Sequence, residues 1–274
     1  MTNEALSERI ENPEMWNLLL RLSPRRLDAV IYSIIEDNSL THHHFELDTA
    51  STPWVAAIQN VVYDHPALLS DFRKVYCVVE TRDYVIIPSA CDDEESRRLL
   101  FKTAFPSSQL EMNVNETGAS NATVLHGVMP ELRGFINRTF QRATIVCHIA
   151  ALSRYAIHTG THGNNLKMTA NLRKESIDVV VTDGRKLMLA NTFTYKHTDD
   201  AVYYILAVRK RLGLDDHTDE LLLAGDQSVR EAITPSLRNF IVRVMPVIFP
   251  PRMFKAGKQA MNAPFDLITL PICE

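Results

Sequence analysis

The chain has 274 residues, of which 46% are hydrophobic and 23% charged. These proportions are ordinary for a globular protein and exclude a disordered, collagen-like or small disulfide-rich chain. Its 29 basic and 33 acidic side chains give a formal net charge of −4, so we expect neither nucleic acid nor an anionic membrane as the main partner.

The first part of the sequence predicts a β-hairpin. Apolar runs at residues 17–22 and 27–35 flank a short turn that contains Pro24, a pattern typical of two strands joined by a tight connection. The elements expected next are a third strand at 43–47, a helix at 53–62, strands at 75–79 and 84–87, and a helix from Asp92 to about Phe105.

The middle of the chain is more polar and its pattern is weaker. Residues 111–123 contain three asparagines and Gly118, which predicts a loop or a loosely paired hairpin. After it we expect a strand at 124–128, a helix that begins at Pro130 and runs to about 140, and a second helix from about Ile145 to His158.

The second half has the clearest signals. Three strands are predicted at 166–172, 177–182 and 186–195, and the Asp183-Gly184 pair indicates a tight hairpin between the last two. A helix at 198–212 is expected to be capped by Thr198 and to end at Gly213. A strand at 220–224, a helix at 229–237 and a strand at 240–247 complete the pattern.

Both halves of the chain follow the same order of strand, strand, strand, helix, strand. The helices begin at Pro53 and Thr198, and the strands after them near Lys74 and Asp219, an offset of 145 residues in both cases. Matching order and spacing predict a structural duplication. We therefore expect an α/β fold of two ribonuclease H-like, mixed-sheet subdomains, residues 1–141 and 142–274, with a cleft between them.

Several segments resemble a known family. Leu189-Ala190-Asn191-Thr192-Phe193-Thr194-Tyr195, the following Asp200-Ala201-Val202-Tyr203-Tyr204-Ile205-Leu206, the opening hairpin at 20–34 and the ending at 265–270 are similar to a domain-of-unknown-function family of uncharacterised Bacteroidetes proteins. The resemblance implies an actin-like ATPase fold, akin to the cytoplasmic actin-like components of pilus and secretion machines. It implies no activity, because none is assigned to the family.

The actin-like fold holds nucleotide with glycine-containing turns, and these turns are altered in this sequence. The turn between the first two strands contains Pro24, which has no N–H to offer a phosphate, and no glycine precedes Gly118. The equivalent turn of the second half, residues 172–176, also lacks glycine, and Asp178, inside the following strand, is a poor substitute for the usual aspartate. The adenosine turn keeps Gly225 where two glycines are usual. Arg25, Arg26, Arg173 and Lys174 could hold an anion across the cleft, or could be solvated turn residues.

These observations leave two hypotheses for the function. The first is a non-catalytic actin-like scaffold or protein-binding module that has lost the phosphate loops, with no cofactor and an unknown protein partner. The alternative is a divergent ATPase or kinase whose phosphates are held by Arg25, Arg26 and Lys174.

Neither a metal site nor export is indicated by the remaining motifs. His42-His43-His44, and the spacing of His158 and His162, lack the acidic or cysteine partners of a metal site. The four cysteines have no C-x-x-C spacing and the N-terminus has no signal-peptide pattern. We expect no membrane-spanning segment and a cytoplasmic protein; the sequence leaves the oligomeric state open.

Overall fold

A computed structural model describes residues 6–160 and 165–272. His162, whose spacing from His158 was considered above as a metal motif, and Cys273 lie outside these ranges. The elements of the first half are β1 (Trp16–Leu22), β2 (Arg26–Ser33), β3 (Thr41–Glu46), α1 (Trp54–Tyr63), β4 (Lys74–Val79), β5 (Tyr84–Pro88), α2 (Glu94–Ala104), β6 (Glu111–Glu116), β7 (Ala122–Val128), α3 (Pro130–Thr139) and β8 (Ala143–Cys147).

The remaining elements follow in chain order. They are α4 (His148–Gly160), β9 (Lys167–Leu172), β10 (Ser176–Asp183), β11 (Lys186–Thr194), α5 (Thr198–Leu212), β12 (Glu220–Gly225), α6 (Gln227–Arg238), β13 (Val244–Pro246), α7 (Pro251–Ala256) and α8 (Phe265–Ile268). None of the helices in the described ranges combines the length and apolar character that crossing a bilayer requires.

The two large sheets have the same topology. The first has the strand order β3-β2-β1-β4-β8 and the second β11-β10-β9-β12-β13. In each, an antiparallel meander is extended by two parallel strands on the far side of the first strand. The duplication predicted from the strand order is therefore present in the sheets; the division of the chain after residue 141 stays a prediction.

Each sheet buries an outer face against its own helices. The outer core of the first sheet includes Leu18, Leu20, Ile58 and Phe135, and that of the second includes Val179, Ile205 and Ile233. The side chains of β1 and β9 are almost all buried. In β1 this burial accompanies a mostly apolar sequence, whereas β9 alternates apolar residues with the buried polar side chains of Thr169 and Asn171.

A third core lies between the two large sheets. It contains Leu19 and Val30 of the first sheet, Val180 of the second, and most of α4. The C-terminal segment joins the same core through α8, whose Phe265 and Leu267 are buried. Because the chain leaves the second sheet after β13 and packs α8 on the first, residues 251–272 tie the two sheets together.

The small sheet, of order β5-β7-β6, closes one edge of each large sheet through side-chain amides. Asn115 of β6 accepts a hydrogen bond from the Cys147 N–H at 2.7 Å and donates to the Ile145 carbonyl at 3.0 Å, on the free edge of β8. Asn121 makes the same pair of bonds with the backbone of Leu187 on β11. These amides hydrogen-bond to backbone groups on the outer edges of β8 and β11.

Four sequence predictions need correction. Residues 143–147 form strand β8, so the helix expected from Ile145 begins at His148. Residues 111–116 form strand β6, which pairs antiparallel with β7, so the hairpin alternative is confirmed, but with regular pairing, and the loop alternative is wrong. The strand expected at 240–247 is reduced to β13. The N-cap of α5 is His197, one residue before Thr198, and the Asp200 carboxylate accepts the His197 N–H at 3.1 Å.

Candidate functional site

The β1–β2 and β9–β10 turns carry the four cations that the sequence analysis singled out. Arg25 and Lys174 are exposed at the tips of the two turns. Arg26 turns back along its own strand, where its Nε donates to Asp28 at 2.9 Å. Anion binding by Arg25, Arg26 and Lys174 stays a prediction. Arg173, in contrast, points inward and leads to a buried cluster of charges.

Arg21, the only charged residue of β1, lies at the centre of that cluster. Its Nε lies 3.0 and 2.9 Å from the two carboxylate oxygens of Asp266 on α8, and its Nη1 donates to Glu80 at 2.9 Å. Arg21 and Asp266 are only 4% and 1% exposed. Burial of a charge is costly unless it is paired, so these contacts are what allow an arginine inside the apolar run of β1.

The second sheet contributes a matching set of contacts. Arg173 donates through Nη2 to Asp178 of β10 at 2.8 Å, and its Nε lies 3.8 Å from Glu80. His148, the first residue of α4, places Nε2 3.3 Å from Asp178. Glu80 thus links the arginine of the first sheet to the arginine of the second.

We call these six residues the central ion network: Arg21, Glu80, His148, Arg173, Asp178 and Asp266. The network contains three cations and three anions when His148 is protonated, so its formal charge is balanced. Thr192 of β11 adds an uncharged hydroxyl to the network. Its Oγ1 donates to Asp178 at 2.8 Å and lies 3.0 Å from His148 Nε2.

The network shifts the pKa of its members strongly. Burial would lower the pKa of His148, but the Asp178 carboxylate raises it to about 10. Burial would raise the pKa of Glu80, but Arg21 and Arg173 lower it to about 2. Burial would likewise raise the pKa of Asp178, yet Arg173 and His148 hold it well below its usual range. Near neutral pH these groups therefore carry full and opposite charges.

Gly225, the remaining candidate from the sequence, is required by packing. It has a φ of +85°, and a Cβ there would lie 2.1 Å from the carbonyl oxygen of Leu172. The neighbouring Asp226 N–H donates to that same carbonyl at 2.8 Å. Close approach of β9 and β12 therefore explains this glycine without a bound nucleotide.

Of the histidines of β3, His42 has a structural partner. His42 Nε2 lies 2.9 Å from Asp28, and His43 lies on the opposite face of the strand, as alternation requires. In the described ranges, 6–160 and 165–272, no group of three or more His, Cys, Asp or Glu side chains is placed to hold a metal ion.

The sequence reasoning missed most of the central ion network. It named Arg173 and Asp178, but treated Asp178 only as a poor substitute for a phosphate-loop aspartate. Arg21, Glu80, His148 and Asp266 were not identified. One signal was available for Arg21 and Asp178, because a charged residue within an apolar strand must find a partner when the strand is buried.

Comparison with known proteins identifies the fold. The model of the family described as "Protein of unknown function (DUF3822)" matches residues 7–244. A crystal structure from Bacteroides thetaiotaomicron VPI-5482, described as a protein with actin-like ATPase fold and unknown function, is 26% identical and superposes with a TM-score of 0.79, covering 96% of this chain and 97% of that one.

A second solved structure supports the same fold at lower identity. The PilM-PilN type IV pilus biogenesis complex contains a chain that is 13% identical, with a TM-score of 0.58, over 93% of this chain and 98% of that chain. A search of curated proteins finds no match. The actin-like ATPase fold expected from the sequence is thus confirmed, and with it the two mixed-sheet α/β halves.

Proposed function

This chain belongs to the DUF3822 family of proteins of unknown function, and from its geometry we propose that it is a non-catalytic actin-like scaffold or protein-binding module. The observation that carries the proposal is the central ion network. It lies where the β1–β2 and β9–β10 turns meet, which in an actin-like ATPase is the place of the phosphates.

The network supports the proposal because it uses the groups a triphosphate would need. Two guanidinium groups at this point, those of Arg21 and Arg173, are already paired with carboxylates. Entry of a polyanion would require these pairs to break and would bring phosphate charge against Glu80 and Asp178, a repulsion that a buried site does not screen. Catalysis of phosphoryl transfer needs preorganised donors that remain available to the phosphates.

A structural neighbour shows that this fold serves in assemblies. The PilM-PilN structure is a complex in type IV pilus biogenesis, and its similarity to this chain is one of fold. We infer that this chain likewise acts by holding a protein partner. The proposal places it in the cytoplasm, where Cys77, Cys91 and Cys147, which are free thiols, would stay reduced, and includes the division into lobes at residue 141.

Titration of the purified protein with ATP and Mg²⁺ in a calorimeter tests the proposal, together with a phosphate-release assay. We expect no heat of specific binding and no turnover above buffer. Micromolar binding accompanied by turnover would contradict it.

The alternative, a divergent ATPase or kinase, makes an opposite prediction for the exposed turn. If Arg25 and Arg26 held phosphates, an Arg25→Ala, Arg26→Ala double variant would lose nucleotide affinity while remaining folded. Lys174→Ala gives the matched test on the facing turn. Nucleotide binding that is absent from all three proteins, with unchanged unfolding curves, removes this alternative.

A further inference from the structure

An open groove runs along the outer edge of the second sheet, between α6 and β13. Its volume is about 330 Å³ and its floor includes Leu223 and Val244. Two arginines of α6, Arg230 and Arg238, lie one helical turn on either side of Thr234 and line the same groove. Arg238 is exposed to solvent. The same wall also carries Glu231. The groove is therefore apolar at its base, and its helical wall has a net positive charge from two arginines and one glutamate.

The β13 wall of the groove is a strand edge. The Arg243 carbonyl and the Val247 N–H bond to β12, so in a parallel ladder the backbone groups of Val244 and Pro246 point away from it. Within the part of the chain that the structure describes, β13 is the outermost strand of its sheet. Its flank is also apolar, with Ile248 81% exposed.

The duplicated fold shows what fills the equivalent groove in the first half. There α3 takes the place of α6 and β8 the place of β13, since Ala143 pairs with Val75 of β4 as Val244 pairs with Leu221 of β12. That groove is occupied by β6, an extended segment whose Asn115 amide binds the backbone edge of β8.

The occupant of the first groove also brings a negative charge to its helical wall. Glu111 of β6 lies 2.7 Å from Arg133 of α3. Counted back from Ala143 and Val244, which occupy equivalent positions in the two sheets, Arg133 corresponds to Thr234. In α6, Arg230 lies one helical turn before Thr234 and Arg238 one turn after it. The open groove therefore has two guanidinium groups on its helical wall, whereas the groove filled by β6 uses one, that of Arg133.

We propose that the groove between α6 and β13 binds an extended, acidic segment of a partner protein. The segment lies along β13, as β6 lies along β8, and bonds to the outward backbone groups of β13 through its main chain or through side-chain amides such as that of Asn115. Its carboxylates pair with Arg230 and Arg238. This inference rests on the proposed binding function and names the surface and the chemistry of the partner. β6, the equivalent segment of this chain, is itself engaged on β8, and within the described ranges the groove is open, so we assign its occupant to a partner protein.

Pro246 limits the partner to a short contact. It has no N–H, so β13 offers the Val244 N–H, the Val244 carbonyl and the Pro246 carbonyl but no long ladder. Main-chain bonds alone would therefore give little affinity, and the charged and apolar contacts must supply the rest. We expect recognition to depend strongly on Arg238 and on acidic residues in the segment.

Selection from a displayed library of random short peptides tests the inference, with the full chain as bait. We expect enriched peptides to contain Asp or Glu, and the amide resonance of Val244, whose N–H points away from β12, to shift when a synthesised peptide is added. Arg238→Glu should weaken the affinity by about tenfold or more, because it places like charges together. Thr234→Trp, which fills the groove, should abolish binding.

Arg138→Glu is the matched control, because Arg138 is an exposed arginine in the last turn of α3 as Arg238 is in α6. It should leave peptide affinity unchanged. Peptides that bind wild type and both groove variants equally would overturn the inference while leaving a binding module intact, and a library without enriched peptides would also overturn it. Failure of the proposed function is recognised separately, by ATP turnover.

Discussion

Arg21 and Asp266, which lie 245 residues apart in the chain, form a salt bridge in which Nε contacts both carboxylate oxygens. Arg21 belongs to the first strand of the first sheet, and Asp266 to the helix that returns from the second sheet. Both side chains are almost fully buried. The pair therefore links the end of the chain to its beginning inside the protein, at the place where the two sheets meet.

Removing the acidic partner of this pair should destabilise the protein strongly. In Asp266→Asn the shape of the side chain is kept but Arg21 loses half of its compensating charge. Breaking one side of a buried ion pair costs about 3–5 kcal/mol, and the remaining contact with Glu80 should keep the loss toward the lower end. Urea unfolding followed by circular dichroism measures it.

Asp37→Asn is the control for this prediction, because Asp37 and Lys255 form an ion pair whose side chains are both more than half exposed. Such pairs contribute about 0–1 kcal/mol. A loss in Asp266→Asn no larger than that in Asp37→Asn would show that the buried pair does not hold the two parts of the chain together.

The stability of the protein should fall between neutral and alkaline pH because of His148. Asp178 raises the pKa of this histidine from 6.5 to about 10 in the folded protein. The folded state therefore binds the proton more tightly than the unfolded state, and the stabilisation is complete below pH 6.5 and is lost as the pH rises toward 10. Unfolding curves recorded across this range should show the decline.

His148→Gln separates this effect from other titrations. The variant cannot take up the proton, so the difference in unfolding free energy between wild type and variant should shrink as the pH rises, by at most about 1.4 kcal/mol per pH unit. A difference that is constant from pH 6.5 to 10 would contradict protonation of His148 in the folded state.

The parts of the fold that the sequence predicted are those whose signals are local. The Asp183-Gly184 turn, the charge order of α5 and the apolar run of β1 each lie within a few residues. Strand β8 was missed because the short apolar run 143–147 continues directly into α4 without Gly or Pro, and such a run fits a strand or a helix equally well. Only its pairing with β4 decides between them.

The central ion network was beyond sequence reasoning for a different reason. Its members come from β1, the end of β4, the start of α4, the β9–β10 region and α8. No spacing connects Arg21 to Asp266, and the contact exists only once the C-terminal segment has packed on the first sheet. The glycine-poor turns were visible in the sequence, but not the side chains that lie between them.

Loss of the Asn115 amide should weaken the attachment of the small sheet. Asn115→Ala leaves the Cys147 N–H and one bond of the Ile145 carbonyl without their partner in a buried region. A buried group left unsatisfied costs about 1–3 kcal/mol. Because Asn113 also donates to Ile145 at 3.1 Å, the Cys147 N–H should account for most of the loss.

Hydrogen exchange locates this effect. The Cys147 amide should exchange faster in Asn115→Ala than in wild type, whereas amides of β9 should change little. Asn137→Ala, at an exposed position of α3, is the control and should alter neither stability nor exchange. Unchanged protection of Cys147 in Asn115→Ala would mean that another group caps the edge of β8.

A comparison of alanine substitutions at Gly225 and Gly213 separates the cost of a steric clash from the cost of backbone strain. Both have a positive φ, of +85° and +69°, but a Cβ at Gly213 meets nothing within 4 Å, whereas one at Gly225 meets the backbone of Leu172. Gly213→Ala should therefore cost only the strain of a left-handed residue, about 1–2 kcal/mol. Gly225→Ala should cost clearly more, since β9 and β12 must separate. Thermal unfolding of both variants compares them, and equal losses would show that β9 yields easily and that packing does not require glycine at position 225.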